Sequence, residues 1–158
     1  MGFATHLGPW LLGTVKNTTG TTAGTVRNMG STVVAQTIPV TFQTVTNSLT
    51  GTLGAIPAGA LITGVQIVTS TVFSAATTLK ITIGGTDVAT ASTITDVGFI
   101  DVTIASTFAS KAANVGSTDA LITYTATGSG LTTGAATVVI QYVVRNSDGS
   151  ANPTSTQN

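Results

Sequence analysis

Leu79-Lys80-Ile81-Thr82-Ile83-Gly84-Gly85-Thr86-Asp87 decides the fold class. Three large apolar side chains alternate with Lys80, Thr82 and Gly84, the period-two pattern of a strand with one dry face and one wet face. Gly84 and Gly85 tolerate positive φ without steric cost, so the strand is expected to leave through a tight hairpin turn. Ala120, Ile122, Tyr124 and Ala126 repeat the alternation, and Val138, Ile140, Tyr142 and Val144 form its most apolar version, as expected of a central strand.

Other segments follow with irregularities. Ile38, Val40 and Phe42 share one parity and are expected to point inward, while Pro39 on the opposite parity favours an edge strand or a bulge. Between Leu61 and Phe73 both parities are apolar, which predicts a strand buried on two faces or shifted by a bulge. Val97 and Phe99 match one parity and Ile100, Val102 and Ile104 the other, the pattern an extra residue near Phe99 produces. Asn114-Val115-Gly116-Ser117 and Thr127-Gly128-Ser129-Gly130 separate the strands with turn residues. Thr, Val, Ile and Gly dominate and are mediocre to poor helix formers, so strands are expected nearly everywhere. The fold class that results is all-β, an antiparallel β-sandwich, jelly-roll-like, with a body over residues 32–145. Residues 1–31 read as an extended N-terminal arm, with the aromatic anchors Phe3 and Trp10 ahead of a Gly/Thr/Asn stretch, and residues 146–158 as a flexible polar tail.

Composition narrows the chemistry. Charged residues make up 6% of the 158 against a typical ~25%, Glu and Cys are absent, and no charge occurs between Arg27 and Lys80. Formal net charge is zero, so long-range attraction to nucleic acid or an anionic membrane is not expected. Lys16, Arg27 and Arg145 are too scattered for a nucleic-acid patch. The most hydrophobic window, residues 54–73, contains Pro57, Gly59, Gly64 and Gln66 and does not reach the ~18 unbroken apolar residues of a spanning helix. Met1 to His6 lacks the basic start of a secretory signal, so the start reads as untargeted, and the sequon at Asn17-Thr18-Thr19 reads as chance.

Catalytic readings fail on supply. The single histidine, His6, lies in the arm, and no Gly-x-Ser-x-Gly elbow exists to hold a nucleophile. Asp87, Asp96, Asp119 and Asp148 sit at strand ends or turns, where Asp satisfies backbone donors, and Asp101 falls on the wetter parity of its strand. No Asp-x-Asp-x-Asp-Gly calcium loop occurs. The expectation is therefore a non-enzyme with no cofactor and no metal. What remains is a surface with little electrostatic protection and strand edges rich in Val and Thr, which calls for self-association or docking on a larger assembly.

Ile56-Pro57-Ala58-Gly59-Ala60-Leu61-Ile62-Thr63-Gly64-Val65, then Phe73 and Leu79-Lys80-Ile81-Thr82-Ile83-Gly84-Gly85, resemble structural proteins of tailed bacteriophages, in which a Pro-Ala-Gly-Ala turn launches a strand. The cysteine-free Thr/Ala/Gly/Val character is also similar to capsid decoration (cement) proteins, over roughly residues 30–145. The resemblance implies a β-sandwich or jelly-roll homotrimer on the capsid exterior of a virion, bridging subunits of the major capsid protein. Docking is then expected to fall to Phe3, Trp10, Leu11 and Leu12 of the arm, with Arg27 as a polar clamp. The alternatives are a tail, fibre or other surface-assembly subunit, or a lectin-like module binding glycans on loops, against which the single Trp counts.

Overall fold

The computed structural model describes residues 33–145, and the readings made for residues 1–32 and 146–158 lie outside the described residues. The described chain runs β1 (Val33–Thr41), α1 (Phe42–Asn47), β2 (Thr50–Ile56), β3 (Leu61–Thr71), β4 (Thr78–Ile83), β5 (Thr86–Asp87), β6 (Ser92–Thr93), β7 (Gly98–Asp101), a 3-10 turn (Ser106–Phe108), α2 (Ala109–Ala113), β8 (Ala120–Thr127) and β9 (Ala135–Val143). One sheet has the order β1-β9-β3-β7. The other has β2-β8-β4-β5, with β6 also pairing β4.

All pairings are antiparallel, and they nest: β1 with β9, β2 with β8, β3 with β7, β4 with β5. The chain is thus one long hairpin whose tip is Gly84-Gly85, with φ of 55° and 77°, as the sequence predicted for that turn. Rolling this hairpin brings β9 beside β3 and β8 beside β4, which closes two sheets over one core. This is the antiparallel sandwich expected from the alternation.

The core forms because the inward parity of each strand is apolar. Ile38, Val40, Val65, Ile67, Val138 and Ile140 from the first sheet meet Leu79, Ile81, Ile83, Ile122 and Tyr124 from the second. Phe108, fully buried, plugs the core from the 3-10 turn. Packing is tight enough that the space lined by Ile67, Leu79, Ile81, Val88 and Val102 has no room for a water molecule.

Several local expectations meet their structural outcome here. β9 is central, between β1 and β3. β1 is an edge strand, so Pro39 needs no ladder partner on its open side. β3 carries register shifts at Ile62/Gly64 and at Thr69/Thr71, the bulge alternative for its two apolar parities. Two readings change. β7 pairs with β3 without a register shift from Gly98 to Asp101, so no bulge occurs there. Its two apolar parities arise because Ile100 packs against the core while Phe99 faces out at 59% exposure. Phe42 does not continue β1 but opens α1, because Thr41 caps the helix. Thr41 Oγ1 accepts from Thr44 N–H, and Thr41 N–H donates back to Thr44 Oγ1, each at 3.3 Å.

Candidate functional site

Ionisable groups are few and dispersed in this fold. Lys80 Nζ meets Asp87 Oδ2 at 2.9 Å, the one ion pair among the described residues, and Thr82 Oγ1 donates to Asp87 Oδ1 at 2.8 Å. These two donors, Lys80 first, hold the Asp87 carboxyl below its ordinary value. Asp119 Oδ1 accepts the Ala58 N–H at 2.9 Å, and Asp101 Oδ1 accepts from Gln66 Nε2 at 3.0 Å. Among the described residues no group of three or more His, Cys, Asp or Glu could hold a metal ion.

The described cations serve the fold itself. Arg145 donates through Nε to Gly59 O at 2.9 Å and through a terminal nitrogen to Ala113 O, tying the Pro57-Gly59 turn to the end of α2. Lys111 Nζ donates to Val115 O at 3.0 Å. Tyr124 and Tyr142 are buried, so neither offers a ring for stacking. No described helix is long and apolar enough to cross a membrane, and the hydrophobic window at residues 54–73 is divided between β2 and β3.

The features that stand out are the two outer sheet faces. On the β1-β9-β3-β7 sheet the register lines up Phe99, Val68, Thr137 and Pro39 in one row and Asp101, Gln66, Val139 and Thr37 in the next. Val33, at 66% exposure, stands on the same face at the start of β1, and Val97, at 64%, lies two residues before Phe99. Asp101 is the only charge in these rows. On the other sheet, Thr50, Thr52, Thr78, Thr82, Thr123, Thr125 and Thr127 occupy outward positions, with Lys80 among them in the row of Thr125 and Thr50, paired to Asp87 on β5. Thr78 and Thr127 hydroxyls meet at 2.7 Å. Both faces are therefore mixed and nearly uncharged: the first sets the exposed Val33 and Phe99 among Thr37, Thr137, Gln66 and Gln141, and the second sets exposed Leu121 beside an array of threonines.

Sequence reasoning placed the docking residues in the arm, at Phe3, Trp10, Leu11, Leu12 and Arg27, and all five lie outside the described residues. It missed both faces. The signal for the hydroxyl face was present in Thr123-Tyr124-Thr125-Ala126-Thr127, where alternate Thr flank buried Tyr124 and Ala126. The exposed Val33, Val97 and Phe99 gave no signal, because an outward Phe or Val reads the same as an inward one.

No protein-family model matches the chain, and no curated protein matches it. Among solved structures the chain is similar to a chain of the cyanophage Pam1 capsid asymmetric unit, at 16% sequence identity and a TM-score of 0.40, over 80% of this chain and 95% of that one. That similarity is too low to carry a functional argument.

Proposed function

We propose that this chain is a non-catalytic virion structural protein that decorates a capsid, associating as a trimer and bridging shell subunits from the outside. The observation that carries the reading is the set of exposed apolar side chains on the side of the β1-β9-β3-β7 sheet, where Val33, Val97 and Phe99 are each more than half exposed in a body with a single ion pair among its described residues. Such a surface is stable when another surface covers it. The uncharged nine-residue edge of β1 adds an open hydrogen-bonding margin, interrupted only at Pro39. The driving force is apolar area removed from water, worth ~25 cal/mol per Å² before ordering costs, so a standard interface of ~1,600 Å² supplies a large gross term. The arm residues Trp10, Leu11, Leu12 and Phe3 add the large apolar anchors that interface centres favour.

Sedimentation of the full chain at micromolar concentration tests association, with a trimer or larger expected and a stable monomer refuting it. Antibody labelling of intact virus particles tests location. Labelling over the outer shell supports decoration, and labelling confined to the tail replaces it with the tail or fibre reading. A glycan array with specific hits, alongside no shell binding, would turn the assignment to a lectin-like module.

A further inference from the structure

We propose that β1 pairs antiparallel with β1 of a second copy about a two-fold axis at Gln36, making the β1-β9-β3-β7 sheet continuous across two molecules. The contact is additional to the proposed trimer and does not depend on it. Val97 and Phe99 lie at the β7 side of this sheet and β1 is its other edge, so both contacts can form at once.

The other sheet edges are blunted against pairing. β7 is four residues long and ends in Asp101, β5 is two residues long and carries Asp87 with its Lys80 partner, and β2 is bulged between Thr52 and Gly54. β1 carries no charge and keeps one register with β9 from Val33 to Thr41. Which of its backbone groups are open follows from that ladder. Phe42 N–H donates to Gly134 O, and these two residues continue the register as a directly opposed pair, so the even-numbered residues of β1 bond to β9. The odd-numbered Val33, Ala35 and Thr37 therefore turn N–H and C=O to the open side, and Pro39 offers its C=O alone. Thr41 closes the row, because its N–H already donates to Thr44 Oγ1.

The side chains select both the occupant and the register. Gln36 stands on the inward parity of β1, so near Gly54 of β2 that a Cβ there would lie 2.8 Å from Gln36 Nε2. Its Oε1 is buried and has no hydrogen-bond partner among the described residues. A buried acceptor left unpaired is costly, so this edge is incomplete in the single chain. Setting Gln36 opposite its own copy lets each amide N–H meet the other's Oε1. The same register opposes Ala35 to Thr37, which exchange both backbone bonds, and Val33 to Pro39, so the missing N–H falls at the end of the ladder where it matters least. Val34 then packs beside Ile38 of the second copy. Moving the axis to Ala35 or to Thr37 would face Gln36 with Val34 or Ile38 and leave Oε1 unpaired.

The chain has no cysteine, so a single introduced one reports the contact in the full-length protein. Gln36→Cys sets two thiols across the axis at a non-hydrogen-bonded pair, with Cα atoms ~4.5 Å apart and within disulfide reach. Under mild oxidation it is expected to form a linked dimer several-fold faster than Val34→Cys, whose opposite number is Ile38, and than Leu121→Cys, exposed on the other sheet. Adding Thr37→Pro removes an open-side N–H without touching the β9 ladder, and is expected to bring the rate down to that of Leu121→Cys, with circular dichroism checking the fold. Should the proline variant not fold, Ala35→Lys on the solvent side serves in its place, slowing linkage more at low salt than at high. A Gln36→Cys rate no faster than that of Leu121→Cys overturns the proposal, as does linkage that neither variant slows, or linkage to a shell subunit in place of a second copy. Sedimentation keeps the two proposals apart: trimers that Gln36→Cys does not link leave the proposed function standing without the strand contact, and linked dimers that contain no trimer leave the contact standing without the trimer.

Discussion

Gly134→Ala should be among the most damaging single-methyl additions in this protein. Gly134 is buried just before β9, its φ is 143°, and its carbonyl accepts the Phe42 N–H at 2.9 Å, fixing the start of α1. A Cβ built there would lie 2.3 Å from Phe73 Cδ1 and 2.5 Å from its Cγ, inside any attainable contact. Two costs follow. A non-glycine residue in that backbone region loses about 1–3 kcal/mol, and overpacking against a ring that is itself buried loses about 1–3 kcal/mol more. The sum of roughly 2–6 kcal/mol is a large part of the ~5–15 kcal/mol that holds a domain together. Urea unfolding followed by far-ultraviolet circular dichroism measures it. A double-mutant cycle separates the two costs, because Phe73→Ala costs about 3–5 kcal/mol alone but removes the atoms the new methyl strikes. The double variant should therefore be less destabilised than the sum of the singles by about 1–3 kcal/mol. A Gly134→Ala protein within about 0.5 kcal/mol of wild type, the range of a neutral surface change, would refute the reasoning.

Three further outcomes are expected. Tyr124→Phe removes the hydroxyl that donates to Ser48 O at 2.8 Å and Thr44 O at 3.1 Å; Thr44 O keeps the Ser48 N–H, so the loss in urea unfolding should be only about 1 kcal/mol, and a loss above about 3 kcal/mol would mean the hydroxyl does more than cap α1. Asp87 is held below its ordinary carboxylate value, so its contribution to stability is present above that ordinary value and lost as pH falls through the lowered one; Asp87→Asn should flatten the acid side of the stability profile, and identical slopes in both proteins would contradict the Lys80 and Thr82 account. Deleting residues 1–32 should leave a cooperatively unfolding sandwich, since the described core closes without them, and under the proposed decoration role it should abolish shell binding; a truncated chain that still binds shells would remove the arm from that proposed role.

The alternation in Leu79-Ile83, Ala120-Ala126 and Val138-Val144 was readable because side-chain direction in a strand is a local property with period two, and each of these stretches has a single buried face. Gly84-Gly85 was readable for the same reason, a turn being specified by its own few residues. α1 was not, because Phe42-Gln43-Thr44-Val45-Thr46-Asn47 has weak helix propensity throughout. It forms through a cap from Thr41, burial of Val45 and a hydroxyl from Tyr124 some eighty positions away. The surfaces were harder still. Val97 and Phe99 suggested a bulge when read along the chain, and only their pairing with β3 shows them pointing away from the core.

Sequence alone determined that this chain is a sandwich of antiparallel strands with almost no charge, because periodicity and composition act within a few residues of each position. Tertiary structure decided which strands are neighbours and which apolar side chains stand on the outer faces. Those depend on how one long hairpin rolls, bringing residues such as Val33, Val68 and Phe99 onto the same face from distant parts of the chain. The physical reason is that an apolar side chain carries the same local signature whether the sheet behind it is turned toward the core or toward water.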